Sequence, residues 1–331
     1  MKSFVEESEW EMSENLRTSF AGWVPSRDLP AMTELCRRFN RGRIYEIFGK
    51  YCGLTSHILR EKSAHCWLNY ENGRLKGFAM GRNRKRSLQM CDTFVFEEIW
   101  GQFDGISTEL GQLNRNDIKK VNQFKELIAS VDRFPIVLRA SVDNRFAHLI
   151  VRSLKANWVN GLILAEKTMN RKVRFSAPAG YKFRMFEDGD EYYMSRIHRR
   201  AFGEDLSPED YKSWAKAANC HTVVAIEHRN PIGFIIAEKR RCGSIGDFNI
   251  AVQPVHQRKG IGSALLRAAF NIFVDVKVKR VIADYWTLNT AAHNLYQKHG
   301  FEPKRIYNYF LYDPRGQEKQ TMHIPMKRQS E

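Results

Sequence analysis

The sequence predicts an α/β fold of two tandem domains, each a mixed, mostly antiparallel central sheet flanked by helices. Three observations support that expectation. Strand-like runs rich in β-branched and aromatic residues alternate with helical periodicities along the chain. Each half holds two such runs joined by a short turn, which reads as a β-hairpin. The order of elements in the first half returns in the second, which marks an internal repeat of one α/β unit.

In the first half, Asp28-Leu29-Pro30 starts a helix reaching Phe39, and a second helix falls near 46–61. AHCWLNY (64–70) and LKGFAMG (75–81) flank Glu71-Asn72-Gly73-Arg74, an Asn-Gly hairpin signal. SLQMCDTFVF (87–96) then reads as a strand, 116–131 as an amphipathic helix and FPIVLRA (134–140) as a strand. A helix over 144–155 and the strand WVNGLILAE (158–166) complete the unit. The stretch MNRKVRFSAPAG (169–180) reads as a linker and divides the chain into 1–172 and 173–331.

The second half opens with the strand YKFRMF (181–186); Asp188-Gly189-Asp190 then starts a helix through Phe202. Another helix covers 208–218. HTVVAIE (221–227) and PIGFIIAEK (231–239) form a hairpin around His228-Arg229-Asn230-Pro231. IGDFNIAV (245–252) is a strand, followed by a glycine turn and a helix to about Val274. The strand RVIADYW (280–286), a helix over 289–299, and strands at 305–311 and 320–326 close the chain.

At 331 residues either one large or two medium domains bury a sizeable core. The N-terminal MKSFVEESEWEM lacks the apolar region of a secretory signal, and no run approaches the length of a membrane span. The six cysteines are scattered without a C-x-x-C pair, so neither a zinc ribbon nor a disulfide framework is expected, and no metal is called for. A reducing, cytoplasmic setting follows as the expectation. The net charge of +16 favours anionic ligands, with dense clusters at Arg82-Asn83-Arg84-Lys85-Arg86 and Lys239-Arg240-Arg241. Such clusters serve either as solvated turns or as contacts to a polyanion.

The stretch VHQRKGIGSALL (255–266) holds the sharpest chemical signal. Gly260 and Gly262 strip side chains from a turn, and Ser263-Ala264-Leu265-Leu266 continue it as a helix. A bare turn entering a helix gathers free N–H groups and the positive dipole end at one spot, which suits a phosphate. Downstream lies NTAAHNLYQKHGF, after one intervening strand. Together these resemble the GNAT superfamily of acyl-CoA-dependent N-acetyltransferases. Gln257-Arg258-Lys259-Gly260-Ile261-Gly262 fits that family's Q/R-x-x-G-x-G/A loop. Asn289, Ala292, Leu295, Tyr296, Gly300 and Phe301 fit its N-x-x-A-x-x-L-Y-x-x-x-G-F pattern. The likeness covers about 181–331 well and 18–170 in outline, as a tandem GNAT-like arrangement.

The resemblance implies acetyl-CoA as cosubstrate, held by backbone donors from Arg258 to Ser263, with Arg258 and Lys259 adding charge. It implies that backbone groups of Ile250, Ala251 and Val252 hold the pantetheine arm. An amide near Val252 would polarise the thioester carbonyl. Tyr296 falls at the family's general-acid position, and Asn289 would cap its helix while contacting the ligand. The base is open. Asp284 lies five residues before Asn289, where one branch of the family carries a glutamate, and an aspartate within an apolar strand needs a partner or a purpose. Asp247 is the alternative, although gap-free spacing puts another branch's glutamate on Gly246, so that Asp247 would face the other side of the pleat. A water chain, or another group such as Glu204 or Asp205, is the further alternative. No cysteine falls on a motif position, so an acyl-cysteine route has no support.

In the first half Asn144, Ala147 and Ile150 echo the later motif, but Val151 stands at the acid position and Arg139 at the base position. Gln102, Gly105 and Ser107 are a possible relic of the loop, with Asp104 in place of a lysine. The expectation is a degenerate domain over 1–172 and a catalytic one over 173–331, acetylating a primary amine of a small molecule or a peptide N-terminus. Rival readings are an acyl-CoA-binding sensor without turnover and a protein docking on nucleic acid or the ribosome through its basic clusters. Trp286, Tyr307, Tyr309 and Tyr312 could wall a substrate or pack in a core.

Overall fold

The computed structural model describes residues 12–13, 16–19, 31–32, 35, 64–71, 73–84, 93–101, 110–131, 135–203, 206–240 and 243–314. The chain divides into two units. One runs to Leu162 and takes the chain up again from Ile306; the other spans Ile163–Arg305.

The first unit begins with β1 (Met12–Ser13) and β2 (Leu16–Ser19), followed by β3 (Ala64–Glu71) and β4 (Arg74–Arg84). The Asn-Gly signal sits at the β3–β4 turn, where Glu71 pairs with Arg74 and Gly73 takes φ +70°, a conformation glycine adopts without strain. β5 (Thr93–Gly101), α1 (Arg115–Ala129), β6 (Ile136–Ser141), α2 (Arg145–Leu154) and β7 (Asn157–Thr168) follow. β3, β4 and β5 pair antiparallel, and β5 pairs parallel with β6 at Phe94↔Ile136 to Phe96↔Leu138. Phe124, Ile128, Phe146 and Ile150 from the two helices pack on Trp67, Phe96, Ile99 and Leu138 of the sheet. Burial of each such large side chain contributes about 1.5–3 kcal/mol. Of the helix expected from Asp28 to Phe39, residues 31–32 and 35 are described and helical. The helix near 46–61, the Gln102–Ser107 stretch, and 320–326 lie outside the described residues.

The second unit repeats that succession. After β8 (Lys182–Met185), α3 (Asp190–Phe202) and α4 (Pro208–Ala215) come β9 (Cys220–Glu227), β10 (Asn230–Lys239) and β11 (Ile245–Val252). Then α5 (Ile261–Asp275), β12 (Arg280–Trp286), α6 (Thr290–Lys298) and β13 (Glu302–Tyr312) complete it. β13 leaves this unit at Ile306, and its remaining residues pair in the first unit's sheet, Tyr307↔Ser141 through Tyr312↔Ile136. Tyr307 and Tyr309 are buried there as core residues. β8 to β11 pair antiparallel in sequence order, and β11 pairs parallel with β12. Both units therefore carry a mixed, mostly antiparallel sheet with helices.

Three local outcomes differ from the sequence reading. The β9–β10 turn is only His228-Arg229, both at positive φ, while Asn230 and Pro231 belong to β10. A register shift between Pro231 and Gly233 accommodates the proline, which cannot donate to the ladder. α4 ends at Ala215 rather than 218. β13 begins at Glu302, three residues earlier than its apolar pattern, since the exposed Glu302, Pro303 and Lys304 carry no apolar signal.

Candidate active site

The site of the second unit is built on a wedge between two strands. β11 and β12 pair only at Ile245↔Arg280 and Gly246↔Val281. β10 meanwhile stays in register with β11 as far as Gly233↔Val252. Past Gly246, the β12-facing edge of β11 is thus open. The backbone N–H of Gln253 donates to Ile232 O, and because antiparallel pairing alternates, Asp247, Asn249 and Ala251 direct their backbone groups at β10. Phe248, Ile250 and Val252 direct theirs into the wedge. Two of these are taken within the chain: Phe248 N–H donates to Asp247 Oδ1 at 2.7 Å, and Val252 O accepts from Gln257 Nε2 at 2.9 Å. Ile250 N–H and C=O and Val252 N–H remain as a ladder edge. Of the three strand residues expected to hold a ligand by backbone, Ala251 therefore turns away, paired with Phe234.

At the mouth of the wedge the glycine loop enters α5. Gly260, at φ +83°, is its N-cap and offers no capping side chain, and the first turn holds no acid. The N–H groups of Ile261, Gly262 and Ser263 therefore precede the first intrahelical bond, Ala264 N–H to Gly260 O at 3.0 Å. A side chain on Gly260 would sit 3.3 Å from Pro178. Arg258, at φ +64°, and Lys259 are exposed beside this end. Gln257 ties the loop back to the strand. These groups fit a pyrophosphate and an extended amide-bearing arm: bare N–H donors at a helix N-terminus, flanking cations, and an unpaired strand edge.

Strand parity sorts the side chains onto two faces. Paired residues of adjacent strands share a face, so Asp247, Asn249 and Ala251 share one with Ile282, Asp284 and Trp286. Over β10 and Ala251 this face is covered by α3 and α4, whose Met194, Ile197 and Tyr211 pack on Phe234, Ile236 and Ala251. Phe248 and Tyr285 lie on the other face with α6. There Tyr296, buried at 7% exposure, meets Tyr285 at 5.3 Å, Phe248 at 5.6 Å and Phe301 at 5.5 Å between ring centroids. Tyr285 hydroxyl and His293 Nδ1 lie 3.2 Å apart.

The electrostatics bridge the wedge. Asp284 is exposed on its strand, yet the protein crowded around its carboxyl and then the Asp247 charge push that carboxyl up to about 6, against a smaller offset from Arg240. Burial, followed by the charges of Asp284 and Asp247, raises the Tyr296 phenol above its ordinary value and keeps it protonated. Asp247 is ion-paired with Arg240. Asn249 Oδ1 on the same face is buried without a hydrogen-bond partner among the described residues. Asn289 caps α6 by accepting from Ala292 N–H at 3.0 Å, leaving its amide N–H groups unbonded among the described residues.

Sequence reasoning missed Arg240 and Asn249. Arg240 stood inside a basic cluster read as a solvated turn or a polyanion contact. In that cluster Arg240 binds Asp247, and Lys239 Nζ donates to Val276 O at 2.8 Å. Gly246 carries no glutamate because an added Cβ would lie 2.6 Å from Phe273 of α5. Glu204 and Asp205 lie outside the described residues.

Among the described residues, a side chain of the first unit bridges the corresponding wedge. β5 leaves β6 after Phe96↔Leu138, but Asn144 Nδ2 donates across the gap to Ile99 O at 2.6 Å. Phe146 lies so near Gly101 that a Cβ there would meet its ring at 2.5 Å; Ala291 stands at the matching place in the second unit. At the start of α1, Asn114 Oδ1 takes the Asp117 N–H at 2.9 Å, and the Asp117 carboxylate is itself buried.

Comparison with known proteins bears on the fold and on one segment of the chain. Residues 191–301 match the family model described as acetyltransferase (GNAT) family. That segment is thus similar to a family that uses acetyl-CoA for acetyl transfer. A GCN5-related N-acetyltransferase from Sphaerobacter thermophilus shares the fold with a TM-score of 0.64 at 16% identity, over 91% of this chain and 96% of that one. A GNAT-family acetyltransferase from Colwellia psychrerythraea gives 0.57 at 11% identity, over 90% and 99%. A tandem GNAT protein from the clavulanic acid biosynthesis pathway gives 0.53 at 12% identity, over 75% and 82%. No curated protein matches the chain in sequence. Among the described residues, no helix is long and apolar enough to cross a membrane.

Proposed function

We propose that the second unit transfers acetyl from acetyl-CoA to a primary amine by direct attack, and that the first unit is a degenerate copy without its own cosubstrate. The observation that carries this reading is the open wedge, with a bare helix N-terminus at its mouth, two aspartates on one face and Tyr296 on the other. Acetyl-CoA supplies the activated acetyl group as a thioester. Ile261, Gly262 and Ser263 N–H groups, with Arg258 and Lys259, bind its pyrophosphate; Ile250 and Val252 backbone groups bind the pantetheine arm. One of those strand N–H groups donates to the thioester carbonyl oxygen, where charge grows during attack.

The acceptor comes from the Asp284 face. Asp284 takes a proton from the amine as its nitrogen bonds to the acetyl carbon, and Tyr296 donates its phenolic proton to the sulfur as the carbon–sulfur bond breaks. A carboxyl poised near 6 is largely ionised at neutral pH yet basic enough to accept that proton. Asn249 Oδ1 offers a further acceptor to the N–H groups of the incoming amine. The closed first-unit wedge supports the degenerate assignment, with Asp117 standing where a phosphate would need donors.

The test is incubation of the full chain with acetyl-CoA and a panel of primary amines, reading thiol release and acetylated product together. Matched release and product, lost in Tyr296→Phe and Asp284→Asn, is the expected result. Acetyl-CoA binding with no thiol release from any amine would leave a sensor and overturn the transferase reading.

A further inference from the structure

The Arg240–Asp247 ion pair lies beside the carboxyl assigned as base, and its construction is specific. Arg240 follows β10 directly; its N–H donates to Ile245 O and its carbonyl accepts from Gly243 N–H, both at 2.8 Å. This tight return holds the residue against the start of β11, two positions from Asp247. Asp247 has both oxygens engaged, Oδ2 by the Arg240 guanidinium and Oδ1 by the Phe248 N–H. Asp284 shares the face of Asp247 across the open wedge but makes no side-chain ion pair with a described residue.

We propose that Arg240 and Asp247 are a positioning pair. Arg240 holds the Asp247 carboxylate in place, and the fixed pair sets the charge that Asp284 faces, so that Asp284 accepts the proton of the amine. The pair touches neither reacting group and acts through Asp284. This inference rests on the acetyl-transfer reading for its consequence, but not for its electrostatics.

The charged and titratable groups that interact with Asp284 are Asp247 on β11 and Arg240 after β10 and, from the opposite face, Tyr296 on α6, with Tyr285 beside it on β12. Glu238 on β10 faces Arg240 in turn. Two carboxylates that sense each other's charge do not ionise independently, and the Asp247 charge favours the protonated form of Asp284. Removal of Arg240 leaves the Asp247 charge uncompensated, which favours protonated Asp284. Removal of the Asp247 charge leaves Arg240 alone, which favours the ionised form. The two variants therefore act in opposite directions, which a merely structural role would not produce.

The experiment is a carboxyl NMR titration of the full chain labelled with 13C-aspartate, with Asp284 assigned by its loss in Asp284→Asn. The wild-type midpoint is expected near 6. Arg240→Gln should raise it by about half a pH unit or more and Asp247→Asn lower it by a similar amount, on the scale of one nearby charge. Arg240→Lys should restore the wild-type value and guard against misfolding. Wherever turnover is measurable, the acid limb of kcat/KM should move with each midpoint. Shifts in the same direction, or none, would overturn the pair. Correct shifts without any acetyl transfer would leave the pair standing and defeat the proposed function instead.

Discussion

Asn144 donates from Nδ2 to the carbonyl of Ile99 at 2.6 Å, while Asn289, its counterpart in the second unit, keeps its amide N–H groups unbonded among the described residues. Both cap a helix by accepting an N–H three residues on, at 3.0 Å. One asparagine seals a wedge and the other leaves one open.

That difference has an energetic signature. Asn144→Ala should cost about 2 kcal/mol, since it removes a cap and a buried hydrogen bond and orphans the Ile99 carbonyl. Asn289→Ala should cost about 1 kcal/mol, the cap alone. Only Asn289→Ala should weaken acetyl-CoA binding. Denaturant melts with and without acetyl-CoA check both statements.

Gly260 is the second point of leverage. Any other residue there must take φ +83° and place a Cβ 3.3 Å from Pro178. Gly260→Ala should therefore cost about 1 kcal/mol of stability. It should also move the N–H cluster enough to raise the acetyl-CoA Kd about tenfold, equivalent to roughly 1.4 kcal/mol. Calorimetric titration of the variant reads the affinity directly.

Tyr296→Phe keeps the ring contacts with Tyr285, Phe248 and Phe301 and removes only the hydroxyl. Acetyl-CoA affinity should hold within about twofold, while kcat falls by about 10²-fold or more, the scale of a lost proton donor. A steady-state comparison of kcat with Kd separates the two effects.

Asp284 links catalysis to stability. Its folded-state carboxyl titrates near 6, above the ordinary 3.8, so between those values the folded chain binds more protons than the unfolded one. Stability attributable to this group is full below pH 4 and is lost as pH rises through 6. Asp284→Asn should therefore melt higher than wild type at pH 7.5, with the difference vanishing near pH 4. Paired thermal melts at the two pH values test this, and kcat/KM of the wild type should rise through an acid limb centred near 6.

The elements of the site were legible where periodicity and end signals are local. The β3–β4 turn, the cap at Asn289, the bare entry to α5 and the strands carrying Asp247 and Asp284 all follow from short-range chemistry. What the sequence hid depends on pairing between distant residues. Gly246 reads as an ordinary strand residue until Phe273 is seen against it, and Arg240 reads as one charge among three until the strand register brings Asp247 alongside. Ala251 fits the same motif as its neighbours, yet antiparallel alternation turns its backbone to β10. The passage of β13 from one unit into the other likewise depends on its partner, β6, and leaves no mark in its own residues.

The central claim is one functional wedge per chain, in the second unit. Calorimetric titration of the full chain with acetyl-CoA tests it most directly, with Gly260→Glu alongside. The account predicts a stoichiometry of one, abolished in the variant. Two bound molecules per chain, or a single one that survives Gly260→Glu, would contradict it.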